Sequence, residues 1–421
     1  MVQQIKTALH FTVARYFRFF ARIRLRRWDP HVVLITGSNG KTVCLHLTEA
    51  QIGASARYSH HANSAFGVPF DILGLKRSSF SLVEWIWLAF AAPLVAWKKP
   101  YDEKIYVVEV DGDRPGEGDF LGSLLRPEVS VCLSVARTHS MLFEKTVNNG
   151  PFRSIDEAIA YEFGGFIEHT TRLAIVNADS PLITRQLHRT RAKVHEMKEE
   201  ELLVSHAVST SGSEFNIGGI AYRTPFLLPR ETFYAIAASV KIADYFGVQP
   251  GDLSGLTMPP GRSSLFRGIK NTTIVDSSYN ANVDSVAAIV RMAEKLPGEK
   301  WLVLGDLTEQ GGFEKEEHER LAQILNTIDL TRIIMVGPRM RAYTKPALDA
   351  AGFGGVTESF INPKEALQYL ASEIRGGEII VFKGARFLEG IIENLLLDED
   401  DAAKLCRREK VWEKRRKNFG L

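Results

Sequence analysis

The chain is poor in cysteine: three in 421 residues, Cys44, Cys132 and Cys406, with no pairing or metal-ligand spacing among them. That excludes a disulfide framework and a structural zinc site as organising devices, and a reducing compartment, the cytoplasm, is expected. Net charge is also nearly absent. Fifty-two basic against 50 acidic residues leave +2, which gives no reason to expect a nucleic-acid partner. No apolar stretch reaches the ~20 residues that span a bilayer, and the N-terminus lacks the apolar core and small-residue cleavage site of a signal peptide. Internal repeats and low-complexity linkers are missing too. What is left is ordinary globular composition, 45% hydrophobic and 24% charged, at a length that accommodates two or three domains at ~100–200 residues each.

Against this background one heptapeptide stands out. Thr36-Gly37-Ser38-Asn39-Gly40-Lys41-Thr42 follows the apolar run Val32-Val33-Leu34-Ile35 and leads into a helical stretch from Val43 to Ile52. Strand, glycine loop and helix in this order make a phosphate cradle, because the glycines let backbone N–H groups converge on an anion at a helix N-terminus. Gly37, Ser38, Asn39 and Gly40 would form the loop, Lys41 would reach the outer phosphates, and Thr42 would offer its hydroxyl to Mg²⁺. ATP is the expected ligand. The general nucleotide loop has a glycine five residues before the second one; here that position is Ile35, so the loop is a variant.

Basic residues crowd both ends. Within residues 1–30, Lys6, Arg15, Arg18, Arg22, Arg24, Arg26 and Arg27 stand against a single acid, Asp29. At about 100° per residue, Arg15, Arg18, Arg22 and Arg26 share one helical face and Leu9, Val13, Tyr16, Phe17 and Phe20 gather on the other. This describes a basic amphipathic helix that either lies on an anionic membrane or docks on its own domain with its arginines in water. A second apolar stretch, Leu82 to Trp97, carries Trp85, Trp87, Phe90 and Trp97 but is interrupted by Glu84 and Pro93. It is too short to span a bilayer and reads either as an interfacial element beside the first helix or as a core helix with one wet end. Peripheral contact with the inner face of the cell membrane through residues 1–30 and 82–97 is thus one of the two readings these segments leave open. The run Lys404 to Lys417 reads as a solvated helix.

Beyond the loop the pattern alternates. Ile105 to Val110, Val129 to Val135 and Leu173 to Val176 read as strands, which predicts a mostly parallel sheet with ligands at the carboxyl ends. Glu109 and His139 stand at such ends, and an acid there is the usual second holder of Mg²⁺. After the turn Pro259-Pro260-Gly261-Arg262, strands at Thr273–Val275, Trp301–Leu304, Arg332–Val336 and Glu378–Phe382 alternate with helices at Asp284–Leu296 and Glu314–Leu325. The fold class expected is α/β, with a phosphate-loop domain and a Rossmann-like second domain whose cleft closes over ATP. The expected boundaries are 1–30 for the helix, 31–258 and 259–400 for the domains, and 401–421 for a basic tail.

These residues also carry a resemblance. The loop, Asn63 with Gly67-Val68-Pro69, Glu109 with Pro115-Gly116-Glu117, and His139 resemble the central domain of the Mur ligases. Pro260-Gly261-Arg262, Asp276-Ser277-Ser278-Tyr279-Asn280-Ala281-Asn282, Val303-Leu304-Gly305-Asp306 with Glu309, Gly311 and His318, and Lys383-Gly384-Ala385-Arg386 resemble their C-terminal domain. The likeness is greatest to the members that attach D-alanyl-D-alanine to a muramoyl tripeptide. It implies amide formation driven by ATP: a carboxylate takes the γ-phosphate to become an acyl phosphate, and an amine displaces phosphate. By resemblance Lys41 holds the outer phosphates, Thr42 and Glu109 the first Mg²⁺, and His139 the second. Asp276, Tyr279 and Asn280 meet the nucleoside, and Arg262 couples their domain to the phosphates.

Three positions depart from the family pattern. Where members carry a carbamylated lysine, counting from Ser154 gives Glu162, which either replaces the carbamate at the second metal or is an ordinary helix glutamate. Where they carry an asparagine that reads adenine, this chain has Tyr234 before Ala235-Ile236-Ala237-Ala238; a tyrosine stacks or makes one hydrogen bond but cannot pair as an amide does. No separate domain for a UDP-sugar precedes the loop, and the basic helix stands in its place, so a lipid-linked peptide is expected as the acid alongside a small-molecule amine. Two alternatives stand beside the ligase: a poly-γ-glutamyl-type ligase on a soluble acid, and a nucleotide-binding scaffold at the envelope. The sequence specifies no oligomeric state.

Overall fold

A computed structural model describes residues 2–60, 62–77, 81–148 and 150–421, the first eight of these by backbone alone. The chain divides into two compact units, one of Met1–Ala136, Lys145–Leu202 and Tyr234–Asp252, the other of Arg137–Glu144, Leu203–Phe233 and Leu253–Leu421. The units are thus interleaved in sequence.

The first unit opens with helix α1 (Val2–Trp28) and strand β1 (His31–Thr36). Five of the six β1 residues are buried, as an apolar run covered on both faces must be. Gly40, left-handed at φ 85°, turns the chain into α2 (Lys41–Ile52). β2 (Ala56–Ser59), α3 (Gly67–Leu73), α4 (Leu82–Ala96), β3 (Ile105–Val110), α5 (Glu117–Leu125) and β4 (Val129–Cys132) follow. The helix Ile155–Glu168, β5 (Leu173–Asn177) and β6 (Lys193–Met197) complete a six-stranded sheet of order β2-β3-β1-β4-β5-β6. Every pairing in it is parallel. β4 stops at Cys132 instead of continuing to Val135, because Leu133 to Ala136 leave the ladder to hold the glycine loop.

In the second unit a three-stranded antiparallel sheet, β7 (Leu203–Ser209), β8 (Gly212–Ile217) and β9 (Ile220–Thr224), is an element the sequence pattern did not reveal. Its outer strand β7 is largely exposed, so it has no apolar signature. β10 (Ser264–Arg267), β11 (Thr273–Ser277), β12 (Lys300–Gly305), β13 (Arg332–Val336), β14 (Val356–Phe360) and β15 (Ile379–Lys383) form the other six-stranded sheet, of order β10-β11-β15-β12-β13-β14. Only β10 runs antiparallel. Alternate strand residues feed two apolar clusters, Val275, Leu302, Leu304 and Val381 in one and Ile274, Trp301, Val303 and Phe382 in the other, which is the period-two signature of a sheet covered on both faces.

Helix α1 is docked on its own unit. Ala14, Phe17, Ala21, Leu25 and Trp28 are buried, and the Phe17 ring packs against Phe66, Phe70 and Trp85. The basic and aromatic residues do not segregate to opposite faces as expected. Arg18 turns in to bond Phe120 O at 2.9 Å and Ser123 Oγ at 2.7 Å, while Tyr16 and Phe19 share the exposed side with Arg15, Arg26 and Arg27. The side chains of Lys6 and Leu9 lie outside the described residues. α1 also completes α4: Arg24 donates to Val95 O at 2.7 Å and Arg27 to Ala96 O at 3.1 Å, placing cations on carbonyls at the α4 C-terminus, where the helix dipole favours positive charge. Pro93 has no N–H for Ala89 O, and the Tyr16 hydroxyl donates to that oxygen instead, at 2.7 Å. In the C-terminal run, the helix Lys410–Lys417 is exposed except at the half-buried Trp412 and at Arg416, which is buried and donates to Arg407 O at 2.7 Å.

α5 and the helix Ile155–Glu168 cross at two glycines. A Cβ on Gly118 would lie 2.1 Å from Glu162 O, and one on Gly165 2.9 Å from Gly118 C. Both obstacles are backbone, so Gly118→Ala is expected to destabilise the unit by about 2–3 kcal/mol or more through forced separation of the helices; a thermal melt within about 1 °C of wild type would contradict this packing.

Candidate active site

The glycine loop is held by the chain leaving β4. Ser38 N donates to Ser134 O at 2.9 Å, Asn39 N to Ser134 Oγ at 2.8 Å, and Ala136 N to Ser38 Oγ at 2.8 Å. Gly37 sits at φ 139° with Ser134 N 2.9 Å from where its Cβ would be, so no other residue fits without moving the loop. The hydroxyls of Ser38 and Ser134 therefore fix an open backbone turn at the N-terminus of α2, the arrangement that receives a phosphate.

Lys41 lies behind this turn, its side chain only 13% exposed. Its Nζ donates to Gly37 O at 2.5 Å and lies 2.8 Å from Asp111 Oδ1. Burial alone would lower its pKa, but Asp111, Glu109 and Asp113 outweigh it and the ammonium is held above its ordinary value. Thr42 Oγ1 donates to Glu109 Oε1 at 3.2 Å, bringing the two predicted first-cation ligands together. A hydroxyl beside a carboxylate is the hard-oxygen donor set that Mg²⁺ takes with waters, so the residues fit the ion. Asp111 was missed from sequence. The available signal was its spacing: two residues after Glu109, it projects to the same side of the β3 extension.

Glu162 has a definite occupation. It is 7% exposed, and its two oxygens accept backbone N–H groups from Gly116 at 2.8 Å and Gly118 at 2.9 Å. The carboxylate thus caps the first turn of α5, where the helix dipole favours a negative charge. Burial raises its pKa and the two amides pull it back, leaving it above the usual value. Neighbouring Glu117 is 1% exposed, accepts from Ala65 N at 3.1 Å through one oxygen, and has no described partner on the other. Burial first, then Asp113, push its pKa up to about 7. Tyr234 is also buried, and its hydroxyl donates to Asp179, which also accepts Glu199 N at 2.7 Å. That hydroxyl is committed to Asp179 and is not offered to a base.

The second unit gathers the other candidates at the carboxyl ends of β11 and β15, which pair with Ser277 opposite Lys383. Asp276 is fully buried; Oδ1 accepts Ser278 N at 2.9 Å, and Oδ2 has no partner among the described residues. Lys383 Nζ donates to Asn280 O at 2.7 Å. Burial, reinforced by the Arg262 charge and offset in part by Asp276, lowers its pKa to about 7. Arg262 lies 4.4 Å over the half-exposed Tyr279 ring. An orphaned carboxylate oxygen, an exposed ring and two cations at strand ends suit a ribose, a base and phosphate oxygens. His139, in a left-handed turn at φ 51°, belongs to this unit and pairs through Nδ1 with Glu309 Oε2 at 2.5 Å. Asp306, buried at the end of β12, joins Arg386 at 2.9 Å to the amides of Arg339 and Met340 at 3.1 and 3.0 Å. His318 is structural: Nδ1 bonds Glu314 O at 2.6 Å, Nε2 accepts Leu307 N at 3.3 Å, and burial lowers its pKa.

Known proteins resemble this chain in sequence and fold. The family model "Mur ligase, glutamate ligase domain" matches residues 261–386. The UDP-N-acetylmuramoyl-tripeptide–D-alanyl-D-alanine ligase of Bacillus subtilis (strain 168) is 25% identical over 390 residues, covering 89% of this chain and 78% of that protein. Its counterpart from Escherichia coli (strain K12) is 25% identical over 375 residues, covering 84% and 74%. Among solved structures, MurF ligase from Thermotoga maritima in complex with ADP superposes with a TM-score of 0.72 at 21% identity, over 96% of this chain and 84% of that one. MurF from Acinetobacter baumannii gives 0.73 at 19%, over 91% and 80%.

The Glu117 environment sets a pH dependence. Its pKa rises from 4.5 to about 7 on folding, so between those values the folded chain holds a proton that the unfolded chain releases, and stability falls as pH rises. Glu117→Gln is expected to remove that slope and to raise the melting temperature relative to wild type at pH 8 but not at pH 4.5; parallel melting profiles for the two proteins across this range would refute the assignment.

Proposed function

We propose that this chain is a member of the Mur ligase family and an ATP-dependent carboxylate–amine ligase of peptidoglycan synthesis, a reading supported by the family model over residues 261–386 and by the relatives that span most of its length. The observation that carries the reading is the cradle of Gly37–Thr42 with Lys41 paired to Asp111 and Thr42 bonded to Glu109. Its finer parts are an acyl-phosphate intermediate and a muropeptide-type acid joined to an amino acid or dipeptide. A lipid-linked form of that acid is favoured by the exposed apolar side of α4, which bears Trp87, Phe90 and Leu94.

In the proposed mechanism the substrate carboxylate oxygen attacks the γ-phosphorus of ATP, and the bond to the β,γ-bridging oxygen breaks, releasing ADP. The amine nitrogen then attacks the acyl carbon, the acyl C–O bond breaks with its electrons going to inorganic phosphate, and the nitrogen loses a proton. Both steps move negative charge between oxygens and call for no protein nucleophile. Mg²⁺, held by Thr42 and Glu109, supplies charge neutralisation at the phosphates when bound. Lys41 exchanges its bond with Asp111 for phosphate oxygens, and the loop amides orient the triphosphate. Within the second unit, Asp276 with its unpartnered oxygen, Tyr279, Asn280 and Arg262 are the residues proposed for a nucleoside. His139, braced by Glu309, is the proposed ligand for a second cation. Glu162 is reassigned from that cation to the turn before α5, where both of its oxygens are already used.

Phosphate release from ATP should depend on adding both a muropeptide acid and D-alanyl-D-alanine or a related amine. Lys41→Ala should lower kcat at least ~10²-fold, as the loss of a preorganised charge at the transferred group does. Hydroxylamine in place of the amine should trap the acyl phosphate as a hydroxamate. If ADP forms but no hydroxamate appears with any acid that stimulates turnover, the acyl-phosphate step is wrong; if no acid stimulates turnover, so is the ligase reading.

A further inference from the structure

α4 is apolar on both sides. Its inner face, with Leu88, Ala92 and Ala96 fully buried, packs within the first unit. Its outer face exposes Leu82 76%, Val83 76%, Ile86 50%, Trp87 58%, Phe90 74%, Leu94 72% and, just past the helix end, Trp97 65%. At about 100° per residue these seven fall within an arc of about 140° that contains no charged side chain. A surface helix in water normally turns its polar side outward, and isolated exposed apolar residues need no explanation, but seven in one arc do. The face is held rigidly, with Arg24, Arg27 and Tyr16 of α1 binding carbonyls along and past the end of α4.

We propose that this face inserts into the headgroup layer of an anionic phospholipid membrane, so that the protein rides on the bilayer surface. Three features select that occupant. The exposed side of α1 adds Tyr16 at 41% and Phe19 at 60% exposure, interleaved with exposed Arg15, Arg26 and Arg27, and aromatics among arginines are the composition of an interfacial helix. The α4 stripe ends in Trp97-Lys98-Lys99, with Arg27 5.6 Å over the Trp97 ring, so the positive charge lies where lipid headgroups would meet it. Lys98 and Lys99 are exposed, and Lys99 also pairs with Asp102 at 2.8 Å. No described helix is long and apolar enough to cross a membrane, and α4, at 15 residues, or about 22 Å, suits an element lying flat. A second copy is a poorer occupant, because a two-fold contact pairs one patch with itself and would gather two sets of the positive charges at its margin.

Membrane binding itself stands apart from the ligase reading; only the lipid-linked acid rests on that reading. The test is flotation of the full chain with vesicles of phosphatidylcholine, with and without 30% phosphatidylglycerol, at low and high salt, alongside Trp87→Ser/Phe90→Ser/Leu94→Ser. These three side chains are exposed, so the variant should melt as wild type does. Wild type should partition onto the anionic vesicles at least 10-fold more than onto the neutral ones, with a blue-shifted tryptophan emission, and the triple variant should lose at least 10-fold of that binding. ATP turnover on soluble substrates should be unchanged in the variant, which separates a failure of this proposal from a failure of the enzyme. Equal flotation of variant and wild type, or no flotation of either, overturns it. So does a wild-type dimer that the variant abolishes without any change in flotation, since the face would then join copies of this chain.

Discussion

A largely enclosed ammonium at the end of a parallel sheet is the constraint around which the phosphate half of the site is built. Lys41 has to be enclosed to act on phosphate oxygens without competing water, yet an enclosed cation without a counter-charge would shed its proton. Asp111 meets that need at 2.8 Å, with Glu109 and Asp113 behind it. The acids are carried on β3 and its extension, the neighbour of β1 in the sheet, so strand order itself sets the distance between cation and acids. On the other side, β4 ends early so that Ser134 and Ala136 hold the loop open.

The turn that begins α5 depends on a second buried charge. Glu162 reaches it from the helix Ile155–Glu168 only because Gly118 and Gly165 let the two helix backbones touch. With both oxygens on backbone amides, the carboxylate fixes the segment Pro115–Gly118 that follows the acids of β3. The sequence left Glu162 as either a stand-in for the carbamate at a second metal or an ordinary helix glutamate; the geometry places its oxygens on the amides that open α5.

α1 and α4 show how one sequence feature serves two ends. The arginines of α1 looked like a charged face turned to solvent or lipid. Of the four expected on one face, Arg15 and Arg26 are exposed but Arg18 bonds Phe120 O, while Arg24 and Arg27, outside that face, bond carbonyls at the end of α4, because long cationic side chains bury their stems while their heads reach backbone acceptors. α4 has no polar side to give to water, so its outer stripe stays apolar.

Sequence determined much on its own. The order of strands and helices was legible because strands covered on both faces are continuous apolar runs, and Ile105–Val110 and Arg332–Val336 were placed to the residue. The phosphate loop was legible because its chemistry is local: glycines, a lysine and a threonine within seven residues. The β7–β9 sheet was not, since its outer strand is exposed and lacks an apolar pattern. Nor were the pairing of Lys41 with Asp111, the capping by Glu162, the bond from Tyr234 to Asp179, or the division that gives His139 to the second unit. Each of these joins residues far apart in the chain or depends on which way a buried side chain turns. Local pattern fixes which groups are present; only the packed sheet and the helices crossing at glycine decide which charge each one meets.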